Sequence, residues 1–164
     1  MAISALLVAG AYFGLLESQL HWRLKVARVN EFSYQEPDGI DWKTWTPEAV
    51  AKARTEGRPV LVDFTADNCL NCQLNKRTSL EIPSTRSKLK AINAVALLGD
   101  FSDGDERIAA ELKRHNRAGV PLVLVYPKDA KEEPIVLPAI LTPGIVLDAL
   151  EKAAADSVKV SSRK

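Results

Sequence analysis

The stretch "RPVLVDFTADNCLNCQLNKRTSL", Arg58 to Leu80, constrains the fold more than any other part of this chain. Its first part, Val60 to Phe64, is apolar on both sides of the pleat apart from Asp63. A strand of that kind has to be covered on both faces, as a central strand is between two layers. "CLNCQLNKRTSL" then runs on without Gly or Pro, which predicts a helix from about Cys69 that ends before Pro83.

The rest of the chain supplies neighbours for that strand. In "TPEAVAKARTEG", Thr46 is a helix N-cap, Pro47 the first helical residue, Glu48 a first-turn acid and Gly57 the stop. A turn of helix around Ser84 to Ile92 leads to a second buried strand, "AVALLGDF". Asp103 to His115 reads as a helix with Ile108, Ala109 and Leu112 on its inner side. "PLVLVYP" follows as a strand, with Pro121 at its start, where a missing N–H is tolerated. "EEPIVLPAI" offers a hairpin partner across "PKDAKEE", and Thr142 and Pro143 open a last helix through Ala155 with Val146, Ala149, Leu150 and Ala153 inside. This order predicts an α/β fold, a three-layer α/β/α sandwich with a mixed central sheet, over residues 41–155.

At 164 residues and 46% hydrophobic content, the chain holds one domain of ordinary size and an appendage. Lys and Arg total 22 against 21 Asp and Glu, so no overall field favours nucleic acid or another polyanion. The appendage is residues 1–22, an apolar helix by pattern, in which Met1 to Leu16 carries no charge. A spanning helix needs roughly 20 apolar residues, so Ser18 to Trp22 must extend it, with Trp22 at the interface. A cleaved signal would show a basic start, which is missing, and a soluble helix would show a polar face. Arg23, Lys25 and Arg28 follow directly, and the positive-inside rule would leave that flank in the cytoplasm. Residues 23–40 read as a polar linker and residues 156–164 as a frayed tail.

Cys69 and Cys72 are the chain's 2 cysteines. A cysteine at a helix start has its thiolate favoured by the helix's positive end, and a second one turn on can attack the mixed disulfide that the first forms. That makes Cys69 the nucleophile and Cys72 the resolving thiol. Structural zinc would need a second pair of ligands, which the 2 histidines, His21 and His115, do not supply at suitable spacing. Two buried packing cysteines remain the third reading. Asp63 is an odd choice inside a buried strand; burial would raise its pKa and suit it to accept and return a thiol proton at neutral pH. "AGVP", Ala118 to Pro121, leads into a strand, and a cis Val120–Pro121 bond would turn the Val120 backbone toward the cysteines to pair with an extended substrate.

With these residues in hand, the chain from about Trp42 to Ala154 resembles the thioredoxin superfamily, and within it the C-terminal periplasmic domain of DsbD-type thiol:disulfide interchange proteins. The resemblance rests on "VLVDFTADNCLNCQLNKRTSL" and on "LLGDFSDGDERIAAELKRHNRAGVPLVLVYP", with its Asp-aromatic-Ser stretch and its GVP ending. It implies Cys69 as attacking thiol, Cys72 as resolving thiol, Asp63 as proton-handling acid and Pro121 in cis beside them. It also implies a protein-disulfide reductase in the periplasm, tethered to the inner membrane by the N-terminal helix. Electrons would come from a membrane-embedded thiol donor and pass to periplasmic thiol–disulfide partners, with no cofactor beyond the Cys69–Cys72 disulfide and no metal. A rival is a thioredoxin-like interaction or assembly module, for example in cytochrome c maturation, with non-catalytic cysteines. Three positions depart from the family pattern: Asn68 stands where Trp is usual, Gln73 where Lys is common, and Lys76 where Glu is frequent. A cation at Lys76 is expected to make Cys69 more acidic and the couple less reducing than in relatives with Glu.

Overall fold

The computed structural model describes residues 39–155. The expected membrane helix at 1–22, most of the linker and the tail at 156–164 lie outside the described residues. Along the chain run β1 (Trp42–Thr44), α1 (Pro47–Thr55), β2 (Val60–Thr65) and α2 (Leu70–Asn75). A π-helical turn (Lys76–Leu80) continues α2, followed by α3 (Pro83–Ala91), β3 (Val95–Asp100) and α4 (Glu106–Arg114). β4 (Leu122–Tyr126), β5 (Ile135–Val136) and α5 (Pro143–Ala154) complete the domain.

The strands form one sheet in the order β1-β3-β2-β4-β5. β1 and β2 both lie parallel to β3, whereas β4 runs antiparallel to both β2 and β5, so the sheet is mixed as expected. β2 sits at the centre, and the period-2 alternation of its side chains builds two cores. Val60, Val62 and Phe64 join α1 through Val50 and Ala53, and α4 through Ile108 and Leu112. Leu61 faces the other way, into Leu80 of the π turn, Leu89 of α3, and Val146 and Leu150 of α5. At roughly 1.5–3 kcal/mol for each fully buried large apolar side chain, neither face is dispensable.

Helix ends follow the local chemistry read from the sequence. Thr46 accepts from the Ala49 N–H, and Thr142 from the Ile145 N–H. Gly57 takes φ +68° beyond α1, where the Gly57 N–H bonds the Arg54 carbonyl and the Arg58 N–H the Ala53 carbonyl. That pair is a Schellman closure, open to glycine at no steric cost. Three details differ from expectation. β1 is a three-residue edge strand, too short for its alternation to stand out. The helix from Cys69 is not uniform but widens into the π turn after Asn75. On α4 it is Glu111, not Ala109, that shares the buried side with Ile108 and Leu112. Glu111 tolerates burial because Tyr126 donates its hydroxyl to it and His115 Nε2 lies 3.2 Å away.

Candidate active site

β2 delivers the chain to the cysteines. Cys69 is the N-cap of α2, with extended backbone (φ −90°, ψ 97°), and its Sγ accepts the Cys72 N–H at 3.2 Å. The two sulfurs are joined in a disulfide, with Cα atoms 5.2 Å apart. Cys69 is half-buried while Cys72 is 2% exposed, so an incoming sulfur meets Cys69 first. Cys69 is thus the more accessible of the two sulfurs.

Asp63 pairs with Leu98 on one side and Val123 on the other, and projects to the same face as Leu61. That face is covered by the helices after Cys69. The residue is 2% exposed. Burial pushes its carboxyl up from 3.8 to about 7, because the charged form loses its hydration. The Lys76 ammonium pulls the other way, and the Glu81 carboxylate adds to the rise. Asp63 therefore lies within electrostatic reach of the turn that follows Cys72, and it changes charge near neutral pH.

The loop between β2 and α2 is pinned from several sides. The Cys69 N–H bonds the Ala66 carbonyl, and the Phe101 N–H bonds the Thr65 carbonyl at 2.8 Å. Ser102 accepts the Asp67 N–H at 2.9 Å while donating its hydroxyl to Asp100 at 2.6 Å. Gln73 reaches back from α2 to donate to the Asp67 carbonyl at 3.0 Å. The Val120–Pro121 peptide is cis. Leu122, the next residue, pairs with Phe64, which brings this peptide to the sheet end where the cysteines follow Thr65. Pro121 is buried there, and Val120 and Phe101 both pack against the first core. Asn68 and Lys76 are exposed. Among the described residues no three His, Cys, Asp or Glu side chains are grouped so as to hold a metal ion.

A cysteine pair at a helix start, a cis-proline across the sheet end and a mixed sheet between two helical layers agree with what known proteins show. A family model described as thioredoxin-like matches residues 41–128, more than half of the chain. The chain belongs to the thioredoxin-like family. Thiol:disulfide interchange protein DsbD 1 of Pseudomonas aeruginosa is 32% identical over 78 residues, 48% of this chain and 13% of that protein. A DsbD of Ralstonia nicotianae is 31% identical over 88 residues, 54% of this chain and 14% of that protein. The match thus spans only a small part of these relatives' length. Among solved structures, a thioredoxin from Thermus thermophilus superposes with a TM-score of 0.56 at 25% identity, over 69% of this chain and 85% of that one. The reduced C-terminal domain of DsbD from Neisseria meningitidis gives 0.53 at 19% identity, over 68% and 99%.

Within this thioredoxin-like frame the structure refines several expectations. Asp63 and both cysteines sit on consecutive elements around the end of β2. Lys76 also bears on Asp63, which the sequence did not suggest. Gln73 does not stand idle in place of a lysine but ties α2 to the loop ahead of Cys69. Sequence reasoning missed Glu81, whose carboxylate accepts from the Trp42 indole and the Ile40 N–H and bears on Asp63. It also missed the anchoring role of Ser102 and the buried Asn75. Asn75 alone left a readable sign, a polar residue one turn past Cys72 on the same side of the helix.

Proposed function

We propose that this chain is a thiol:disulfide oxidoreductase of the DsbD type that works as a protein-disulfide reductase. The observation that carries the reading is the half-buried Cys69, ahead of a buried Cys72, after a strand whose buried Asp63 carboxyl is pushed up to about 7. In the dithiol form the Cys69 thiolate attacks a partner disulfide, forming a mixed disulfide and expelling one partner thiolate, which takes up a proton. Cys72 gives its proton to Asp63 and attacks the Cys69 sulfur, which releases the second partner thiolate and closes the Cys69–Cys72 disulfide. Asp63 then returns its proton to solvent or to the leaving thiolate. Two electrons pass from the domain to the partner, and a dithiol donor restores them by the reverse exchange.

The cis Val120–Pro121 peptide, at the end of the sheet from which β2 leads to the cysteines, would offer backbone to an extended partner segment. Neither organic cofactor nor metal takes part in this exchange. The wider role follows the DsbD relatives: residues 1–22 tether the domain to the inner membrane, a membrane-embedded thiol protein is the donor, and periplasmic thiol–disulfide proteins are the acceptors. Equilibrium titration of the Cys69/Cys72 couple against glutathione tests the core of the reading. A single two-electron couple more reducing than glutathione is the expected result. Cysteines that do not interconvert, or that alkylate equally slowly when reduced, would overturn it.

A further inference from the structure

The π turn after α2 closes on a bond of its own kind. The Glu81 N–H donates to the Lys76 carbonyl at 2.7 Å, five residues back, where an α-helix would close at four. The extra residue turns the chain beyond it by about 100° relative to an unbroken α-helix. Leu80 enters the second core together with Leu61, which shares its face of β2 with Asp63. Glu81 follows, half-buried, with both of its oxygens held. Trp42 Nε1 donates to Oε1 at 2.5 Å, and the Ile40 N–H donates to Oε2 at 3.2 Å.

Those two bonds fix a carboxylate on the face of the sheet that carries Asp63. Trp42 and Ile40 pack against the second core, the side to which Asp63 projects. Only β3 separates β1 from β2, so their backbones lie about 10 Å apart. To that face α3, α5 and β4 present Leu89, Val146, Leu150 and Val123, all apolar. After burial itself, the influences on Asp63 are therefore the charges at the two ends of the π turn, the Lys76 ammonium and the Glu81 carboxylate. Lys76 is exposed and open to screening by salt, whereas Glu81 is half-buried, tethered and screened less.

We infer that Glu81 is a positioning residue for the proton step: fixed by Trp42 and Ile40 where the π turn ends, its carboxylate opposes Lys76 and keeps Asp63 basic enough to take the Cys72 proton. The inference rests on the exchange activity proposed above. A general base works best when its proton affinity is matched to the working pH, and a nearby anion raises that affinity where a cation lowers it. The proton itself still passes from the Cys72 sulfur to Asp63, and Glu81 acts only through its charge. Trp42 stands one step further out, because its N–H holds that charge in place.

The test reads Asp63 directly, by carboxyl-carbon NMR of the oxidised protein against pH in wild type, Glu81→Gln, Trp42→Phe and the double variant. Glu81→Gln keeps an oxygen for the indole but loses the charge, and is expected to lower the proton affinity of Asp63 about threefold to tenfold. Trp42→Phe keeps the charge but releases it, and is expected to lower the affinity by a smaller factor. The double variant should match Glu81→Gln, because the indole acts only through the carboxylate. Each variant should also move the acid limb of single-turnover insulin reduction to lower pH by its own factor, a limb that Asp63→Asn removes. A merely structural role would lower stability and move neither curve; Trp42→Phe still reports on the charge even if Glu81→Gln loosens the turn. An unchanged Asp63 midpoint in the single variants, or a moved midpoint with an unmoved limb, would overturn the inference alone. A wild type that reduces no insulin would overturn the proposed activity and the part of Glu81 in it.

Discussion

At the scale of the residue, Asp63 carries the most chemistry and the largest cost. Its folded pKa of about 7 lies above the ordinary value of 3.8, so the folded protein holds this proton more tightly than the unfolded chain does. Below about pH 4 both states are protonated and nothing is lost; stability then falls as the pH rises through the interval up to about 7, beyond which the full penalty applies. Asp63→Asn in the oxidised protein is therefore expected to be more stable than wild type by about 2–4 kcal/mol at pH 8 and no more stable at pH 4, by denaturant titration at both values. If Asp63 takes the thiol proton as proposed, the same variant should slow disulfide reduction at pH 7 by about 10-fold to 100-fold. Lys76→Glu is expected to raise the midpoint of Asp63, because a carboxylate would replace the cation that now favours its charged form, and by the same substitution of charge to raise that of Cys69 in the reduced protein. Thiolate absorbance of the reduced protein against pH measures this, and an equal or lower Cys69 value would remove Lys76 from the tuning. The placement of Cys69, Cys72 and Asp63 was legible in the sequence because each is chemically out of place in its local pattern. Glu81 was not legible, since its effect on Asp63 depends on where the π turn ends.

At the scale of the element, β3 and the loop after it support the segment that leads to the cysteines. Gly99 lies across from Phe64 in the β2–β3 pair, and an added Cβ would overlap the Phe64 ring. That ring makes an edge contact with Trp45, 4.8 Å between centroids, so it has little room to retreat. Gly99→Ala is expected to destabilise the protein by about 1–3 kcal/mol, read as a shift of the denaturation midpoint with unchanged slope. Ser102→Ala leaves the Asp67 N–H without its present acceptor and is expected to speed hydrogen exchange at Asp67 while β2 amides keep their rates. The caps at Thr46, Gly57 and Thr142 could be read in advance because capping is chemistry between near neighbours in sequence. The bonds from Ser102 to Asp67 and from Asn75 to the 139–141 segment join parts of the chain far apart in sequence. No local pattern announces them.

At the scale of the molecule, the order β1-β3-β2-β4-β5 places the strand that leads to the cysteines at the centre and the two shortest strands at the edges. Protection from hydrogen exchange is accordingly expected to be greatest at Leu61 to Phe64 and Val123 to Val125, and least in β5. The disulfide thus follows the strand expected to be among the best protected. By itself the sequence determined the element order, the two-sided burial of β2, the helix caps and the cysteine pair, because hydrophobic period, capping and spacing act over a few residues. Only the tertiary structure decided the rest: that Lys76 and Glu81 bear on Asp63, that Ser102 and Gln73 pin the cysteine loop, that Glu111 displaces Ala109 from the core, and that Asn75 grips the segment before α5. Each of those depends on distances between elements, which are set by how the layers pack and not by the order in which the residues are joined.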